Sequence, residues 1–185
     1  MIYEEITPNI TQHIFHFGKE DGDICCRCIW ARINLDHRTY TMSANTDCGN
    51  YTYQWTPTPD SESFLALMCR IEKEYLMGKI SSQVFDFEKS KKKNILSVKR
   101  WWSDIKKDNQ TNKDRQRILS QIKDIEECSE EIFYSEMEQA TEYLLDIDSI
   151  CTEREYRAGV ISFADVFCKY LQPILKSKLK SENNK

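Results

Sequence analysis

Between Thr11 and Trp55 apolar and polar residues alternate with a period of two, and β-branched and aromatic side chains are frequent, the pattern of half-buried strands. Three or four antiparallel strands are predicted. The first runs from Ile10 to Phe17 and is closed by Gly18-Lys19-Glu20-Asp21-Gly22. The second runs from Ile24 to Leu35, Asp36-His37-Arg38 turns the chain into Thr39 to Asn45, and Asp47-Cys48-Gly49-Asn50 turns it into Tyr51 to Trp55. The prolines of Thr56-Pro57-Thr58-Pro59 end this meander, because each removes a ladder donor and steers its predecessor away from the helical region.

The period then changes to 3.6. Phe64, Leu67, Met68, Ile71 and Tyr75 predict one amphipathic helix over about 61–80, capped by Asp60 or Ser61 and covering one face of the sheet. After a connector over 81–88, Ile95, Val98, Trp102 and Ile105 mark a second helix, which the turn formers of Asp108-Asn109-Gln110-Thr111-Asn112 interrupt. Thr111 with Asp114 reads as a capping box for a third helix striped by Ile118, Ile122 and Ile125. Ser129 opens a fourth, with Phe133, Met137, Ala140 and Leu144 inward. Ser162 with Asp165 opens a last one carrying Phe163 to Ile174, bounded or kinked at Pro173 and followed by a frayed polar tail from Lys176. The expected class is α+β, with a sheet and its covering helix over 1–80 and a helical subdomain over 81–185, the two forming one compact unit.

Charge divides the helical half sharply. Residues 89–123 hold twelve Lys/Arg against three Asp/Glu, and 124–155 hold one Arg against twelve Asp/Glu. A local net of +9 beside a local net of −11, in a chain of overall −4, marks electrostatics as part of the fold or of partner recognition. Lys91, Lys92, Lys93, Lys99, Arg100 and Lys106 around Trp101-Trp102 form a candidate nucleic-acid grip of cations beside aromatics; the competing reading is a solvated face neutralised by the acidic helices that follow. Two adjacent tryptophans stand about 100° apart on a helix, so one belongs to the core and the other to its edge. Glu126, Glu127, Glu130, Glu131, Glu138 and Glu142 form a candidate partner-binding face, since an acidic helical surface can imitate nucleic-acid phosphates toward a basic groove.

Chemistry is sparsely marked. The chain lacks GxGxxG, Walker A, GxSxG and HExxH patterns, and a Cys/His nucleophile pair such as Cys26 with His37 has nothing in the sequence to orient it, so no enzyme is expected. The eight cysteines accompany no export signal and are expected to be reduced core residues rather than a disulfide framework. Cys25-Cys26-Arg27-Cys28 contains a CxxC spacing downstream of His13 and His16, but an extended strand would turn Cys25 and Cys28 to opposite faces, so neither a metal nor a cofactor is expected. The sequons at Asn9, Asn50 and Asn109 carry no weight for a chain read as unexported. Met1-Ile2-Tyr3-Glu4-Glu5 offers no basic segment before an apolar one, and no window approaches eighteen uninterrupted apolar residues, so neither export nor membrane spanning is expected.

Gly49-Asn50-Tyr51-Thr52-Tyr53-Gln54-Trp55, Ser63-Phe64-Leu65, Tyr75-Leu76-Met77-Gly78-Lys79, Asp86-Phe87-Glu88-Lys89 and the Phe163–Ile174 segment together resemble small proteins of bacteriophages and prophages. The resemblance covers roughly half the chain and rests on structural residues, so it transfers no site. It implies a protein that acts by binding in the cytoplasm of a bacterial host, and inhibitors of host defence, anti-CRISPR proteins among them, belong to that group. The partner it implies is a host protein such as a Cas effector or its guide-RNA complex, with direct nucleic-acid binding by the basic helix, or a Cys/His-dependent enzyme, as the alternatives.

Overall fold

The computed structural model describes residues 9–18, 28–57, 62–103, 109–141 and 150–183. Four antiparallel strands, β1 (Ile10–His16), β2 (Trp30–Asp36), β3 (Thr41–Thr46) and β4 (Gly49–Gln54), form a meander in that order, and helices follow. The class is α+β.

Register explains which residues become core. His13, Ile33, Ala44 and Tyr51 lie across from one another in successive strands, as do Thr11, Leu35, Met42 and Tyr53, so one face of the sheet collects the apolar side chains. Two turns hold that register. Asp36 accepts the backbone amides of Asn9 and Arg38 and the Thr39 hydroxyl, while Tyr40 takes a positive φ of 54° to close the β2–β3 loop. The β3–β4 connection is only Asp47-Cys48, followed by Gly49 at φ 142°, a backbone region that L side chains rarely adopt.

The helix expected over 61–80 is two helices, α1 (Phe64–Arg70) and α2 (Lys73–Ile80), and its cap is Ser63, whose Oγ accepts the Ala66 amide. No proline or glycine marks the break at Ile71-Glu72. It is held from outside: the buried Gln172 amide donates to the carbonyls of Met68 and Ile71, satisfying acceptors that a helix end leaves orphaned. Breaking there turns Leu76 and Met77 inward and leaves Tyr75 exposed, contrary to the expected stripe.

Contacts divide the chain into one unit of residues 1–83 and 156–185 and another, Val84–Glu155. This differs from the division expected at residue 80, because the last helices pack with the sheet. They are α6 (Ala158–Val166), a π-helical segment Phe167–Leu171 and α7 (Gln172–Asn183). Val160, Phe163, Val166, Phe167, Leu171 and Leu175 share the buried core with Ile33, Leu35, Met42, Phe64 and Met68. By length and composition Ala158–Glu182 would suffice to cross a membrane, but half of its apolar window is buried within the protein. Ser162 does not cap a helix; it lies within α6, buried, with Oγ donating to the Ala158 carbonyl, and the tail is helical to Asn183 rather than frayed from Lys176.

The Val84–Glu155 unit contains β5 (Val84–Phe85), α3 (Phe87–Ser103), α4 (Asn109–Asp124), α5 (Glu130–Thr141) and β6 (Arg154–Glu155), with β5 and β6 paired antiparallel. Phe87, Val98, Trp102, Ile118, Ile122, Ile125, Phe133, Met137 and Ala140 form its core. Thr111 falls inside α4 instead of capping it, while Ser129 does sit at the head of α5, its Oγ accepting the Ile132 amide at 3.4 Å. Ile105 and Leu144 lie outside the described residues.

Candidate functional site

In the Val84–Glu155 unit Lys89 and Lys93 meet opposite charge on the segment after α5 rather than on the acidic helices expected to neutralise them. Ser90 and Asn94 are buried on α3, and their side chains bind the backbone of the strap at residues 151–153: Asn94 Nδ2 donates to Cys151 O, Asn94 Oδ1 accepts Cys151 N, and Ser90 Oγ accepts Glu153 N at 2.7 Å. Each bond satisfies a buried polar group, so the strap is fixed along α3. Glu153 and Glu155 consequently lie beside Lys93 and Lys89, which pair with them, while Lys89 also meets Asp86. Glu130 is neutralised by the single arginine of the acidic block, Arg154, through a two-pronged contact.

The remaining charges stay open. Glu126 and Glu127 are exposed in the link to α5, Glu131 and Glu138 are exposed on it, and none of the four has an ion pair among the described residues; Glu142 lies outside them. Glu131 and Glu138 flank Tyr134 on one helical face at i, i+3 and i+7, and Ile132 with Glu136 shows on the next. Both Ile132 and Tyr134 are among the exposed large hydrophobics, 54% and 44% accessible. Charge alone did not mark them, although aromatic and aliphatic side chains within a charged field are the usual anchors of a protein interface. Between α4 and α5 a groove of about 250 Å³ is lined by Gln121, Asp124, Ile125, Glu136, Gln139 and Ala140, extending the acidic surface along residues that sequence reasoning did not single out as sites.

The basic candidates divide differently. Lys91 is committed internally: Nζ donates to the carbonyls of Lys123 and Ile125, each at 2.6 Å, and lies 5.2 Å from the centre of the Phe87 ring. A cation at the end of α4 neutralises the negative pole of its dipole. Lys92, Lys99 and Arg100 are exposed without an ion pair among the described residues, whereas Trp102 is 3% exposed and only the edge-on Trp101 beside it is partly accessible. Lys106 lies outside the described residues. Two tryptophans, one in the core, make a poor stacking platform.

On the sheet unit, His37 Nε2 meets Thr11 Oγ1 at 2.8 Å, its ring lies against Phe64, and His13 is partly buried with Nε2 unpartnered. Cys26 lies outside the described residues. Burial lowers the pKa of both histidines, Lys178 lowers them further, each through its charge, and His37 adds to the effect at His13; Glu182 and Asp36 oppose it at His37. A base with a depressed folded pKa is protonated more readily in the unfolded chain, so this contribution to stability is complete above about pH 6.5 and is lost as pH falls through the folded values. Resistance to urea is therefore expected to fall between about pH 7.5 and about pH 5, and to fall less in a His13→Asn/His37→Asn variant. Equal losses in the two proteins would remove the histidines from the explanation.

A second cluster lies where β2 begins. Cys28 is not within a strand, as the alternation predicted, but precedes β2 and faces the Asp47-Cys48 turn. The Cys28 and Cys48 sulfurs and an Asp47 carboxylate oxygen all lie within 4.8 Å of one another. Asp47 accepts the amides of Ile29 at 2.9 Å and Trp30 at 3.2 Å, and Cys48 Sγ lies 3.1 Å from Thr46 Oγ1. Burial pushes the Cys28 thiol well above its ordinary pKa, and Cys48 and Asp47 add to this.

Fold and surface together define an α+β protein whose Val84–Glu155 unit carries open, oppositely charged surfaces. A family model described as a phage family matches residues 4–177, and the chain belongs to that family. No curated protein and no solved structure matches it.

Proposed function

We propose that this phage protein acts in the cytoplasm of the bacterial host as a non-enzymatic inhibitor, binding a nucleic-acid-handling defence effector of the CRISPR-nuclease kind through the acidic surface of α5. The observation that carries the reading is the set Glu126, Glu127, Glu131 and Glu138, exposed and unpaired among the described residues, around the exposed Tyr134 and Ile132. Exposed ion pairs stabilise a fold by only about 0–1 kcal/mol, so leaving these acids unpaired costs the fold little, while a field of one sign speeds encounter with a basic groove. The nucleic-acid-binding alternative rests on Lys92, Lys99 and Arg100, and the burial of Trp102 with the internal use of Lys91 weakens it.

The test adds the purified chain to a purified CRISPR effector with its guide and reads target cleavage. Near-stoichiometric inhibition is expected, with the association rate falling by about tenfold or more at low salt when Glu127, Glu131 and Glu138 are all changed to Lys, and with little change in melting temperature. Undiminished cleavage across the host's effectors at excess protein would reject the inhibitor reading. Tight, salt-sensitive binding of free single-stranded DNA or RNA, abolished by Lys92→Glu/Lys99→Glu, would replace it with the alternative.

A further inference from the structure

The geometry points to a thiolate metal site formed by Cys28, Asp47 and Cys48, taking zinc or a similarly thiophilic divalent cation. It lies in the sheet unit and stands independently of the binding function proposed above.

Two thiolates and a carboxylate are a zinc donor set, and in a tetrahedral site with Zn–S of about 2.3 Å and Zn–O of about 2.1 Å their donor atoms stand about 3.5–3.8 Å apart. The three donors already lie within 4.8 Å of one another, so side-chain shifts on the order of 1 Å would close them around a cation. Three protein ligands leave a fourth position for water or another donor. Backbone structure holds the set in place from both sides: the Gly49 φ of 142° fixes the two-residue turn, Thr46 Oγ1 accepts the Cys48 amide at 3.1 Å, and the Asp47 carboxylate takes the Ile29 and Trp30 amides, tying the chain before β2 to the turn. Contacts of this kind orient metal ligands, and each carboxylate oxygen keeps lone pairs for a cation after accepting an amide. A separate observation comes from the sequence, where Cys28 completes the Cys25-x-x-Cys28 spacing typical of zinc ligands. Cys28 itself precedes β2, and Cys25 lies outside the described residues.

The full chain, purified under reducing conditions without a strong chelator, should carry about one equivalent of zinc by elemental analysis. Cobalt exchange should produce a thiolate-to-cobalt charge-transfer band, and a chelator should lower the melting temperature of the wild-type protein. Cys48→Ser and Asp47→Asn should each weaken metal affinity by about tenfold or more, whereas Cys168→Ser, in the π segment, should leave it unchanged. Because the buried Cys28 also packs the core, its replacement by Ser is read only by metal content in protein that circular dichroism shows to be folded. A chain that takes up neither zinc nor cobalt while all eight thiols titrate would overturn the proposal. So would a Cys28–Cys48 disulfide found by peptide mapping of the unreduced chain.

Discussion

Phe133→Ala is expected to remove about 3–5 kcal/mol from the stability of the Val84–Glu155 unit, the range for truncating a fully buried aromatic. Phe133 has no exposed surface, and its ring meets Phe85 at 5.4 Å and Phe87 at 5.6 Å, so it joins α5 to β5 and to the start of α3. Removing it opens a cavity among residues anchored on three different elements, which cannot all relax into the space. Chemical denaturation followed by tryptophan fluorescence reports this directly, because Trp101 and Trp102 pack in the same core. A loss below about 1 kcal/mol would mean that the unit collapses around the gap, and that its aromatic cluster packs far less tightly than these distances describe.

Gly159→Ala is expected to destabilise the sheet unit by about 1–3 kcal/mol, against the usual sign for a helical glycine. In an unconstrained helix interior the same change stabilises by about 1 kcal/mol, because alanine loses less conformational freedom on folding. Here the added methyl carbon would stand 2.3 Å from the Cys48 carbonyl oxygen and 3.2 Å from the Tyr51 hydroxyl. The first contact is with backbone in a two-residue turn and cannot rotate away. That same carbonyl accepts the Tyr51 hydroxyl, and Tyr51 stacks on Phe163 at 4.7 Å, so displacing the turn disturbs a chain of packed groups. Thermal unfolding of the single variant decides the sign, and a gain in stability would show that α6 moves off the sheet without cost.

Much of the fold was legible because period-two and period-3.6 patterns report burial directly. Three strands came out within two residues, the second begins at Trp30 rather than in the expected stretch from Ile24, and the stripes Ile118, Ile122, Ile125 and Phe133, Met137, Ala140 proved to be core. What escaped was what distant chain segments impose. The break at Ile71-Glu72 depends on Gln172, about a hundred residues later, and nothing within 61–80 announces it. The assignment of the last helices to the sheet unit likewise follows from long-range packing that no local pattern encodes. At the candidate surface, the charge blocks were evident, but the pairing of Lys89 and Lys93 with Glu155 and Glu153 required the strap held by Ser90 and Asn94, two small polar residues on a buried face. Those same side chains look like surface residues to any scale that ranks hydrophobicity alone.

The π-helical segment ahead of Pro173 has a consequence for helical phase. Phe163, Phe167, Leu171 and Leu175 recur at intervals of four, and all are buried. On an α-helix at about 100° per residue that interval drifts by about 40° at each step, carrying the fourth side chain about 120° from the first. A wider turn, in which the Gln172 amide reaches back to the Phe167 carbonyl, unwinds part of that drift, and all four side chains stay in the core. It also makes room for a proline that lacks the donor a regular turn would use. Forcing the ordinary pitch on this segment with no residue removed would swing everything after it by tens of degrees, withdrawing Gln172 from the Met68 and Ile71 carbonyls and Leu175 from the core. The widened turn is thus a gear between two halves of one helix, and the break between α1 and α2 depends on its setting.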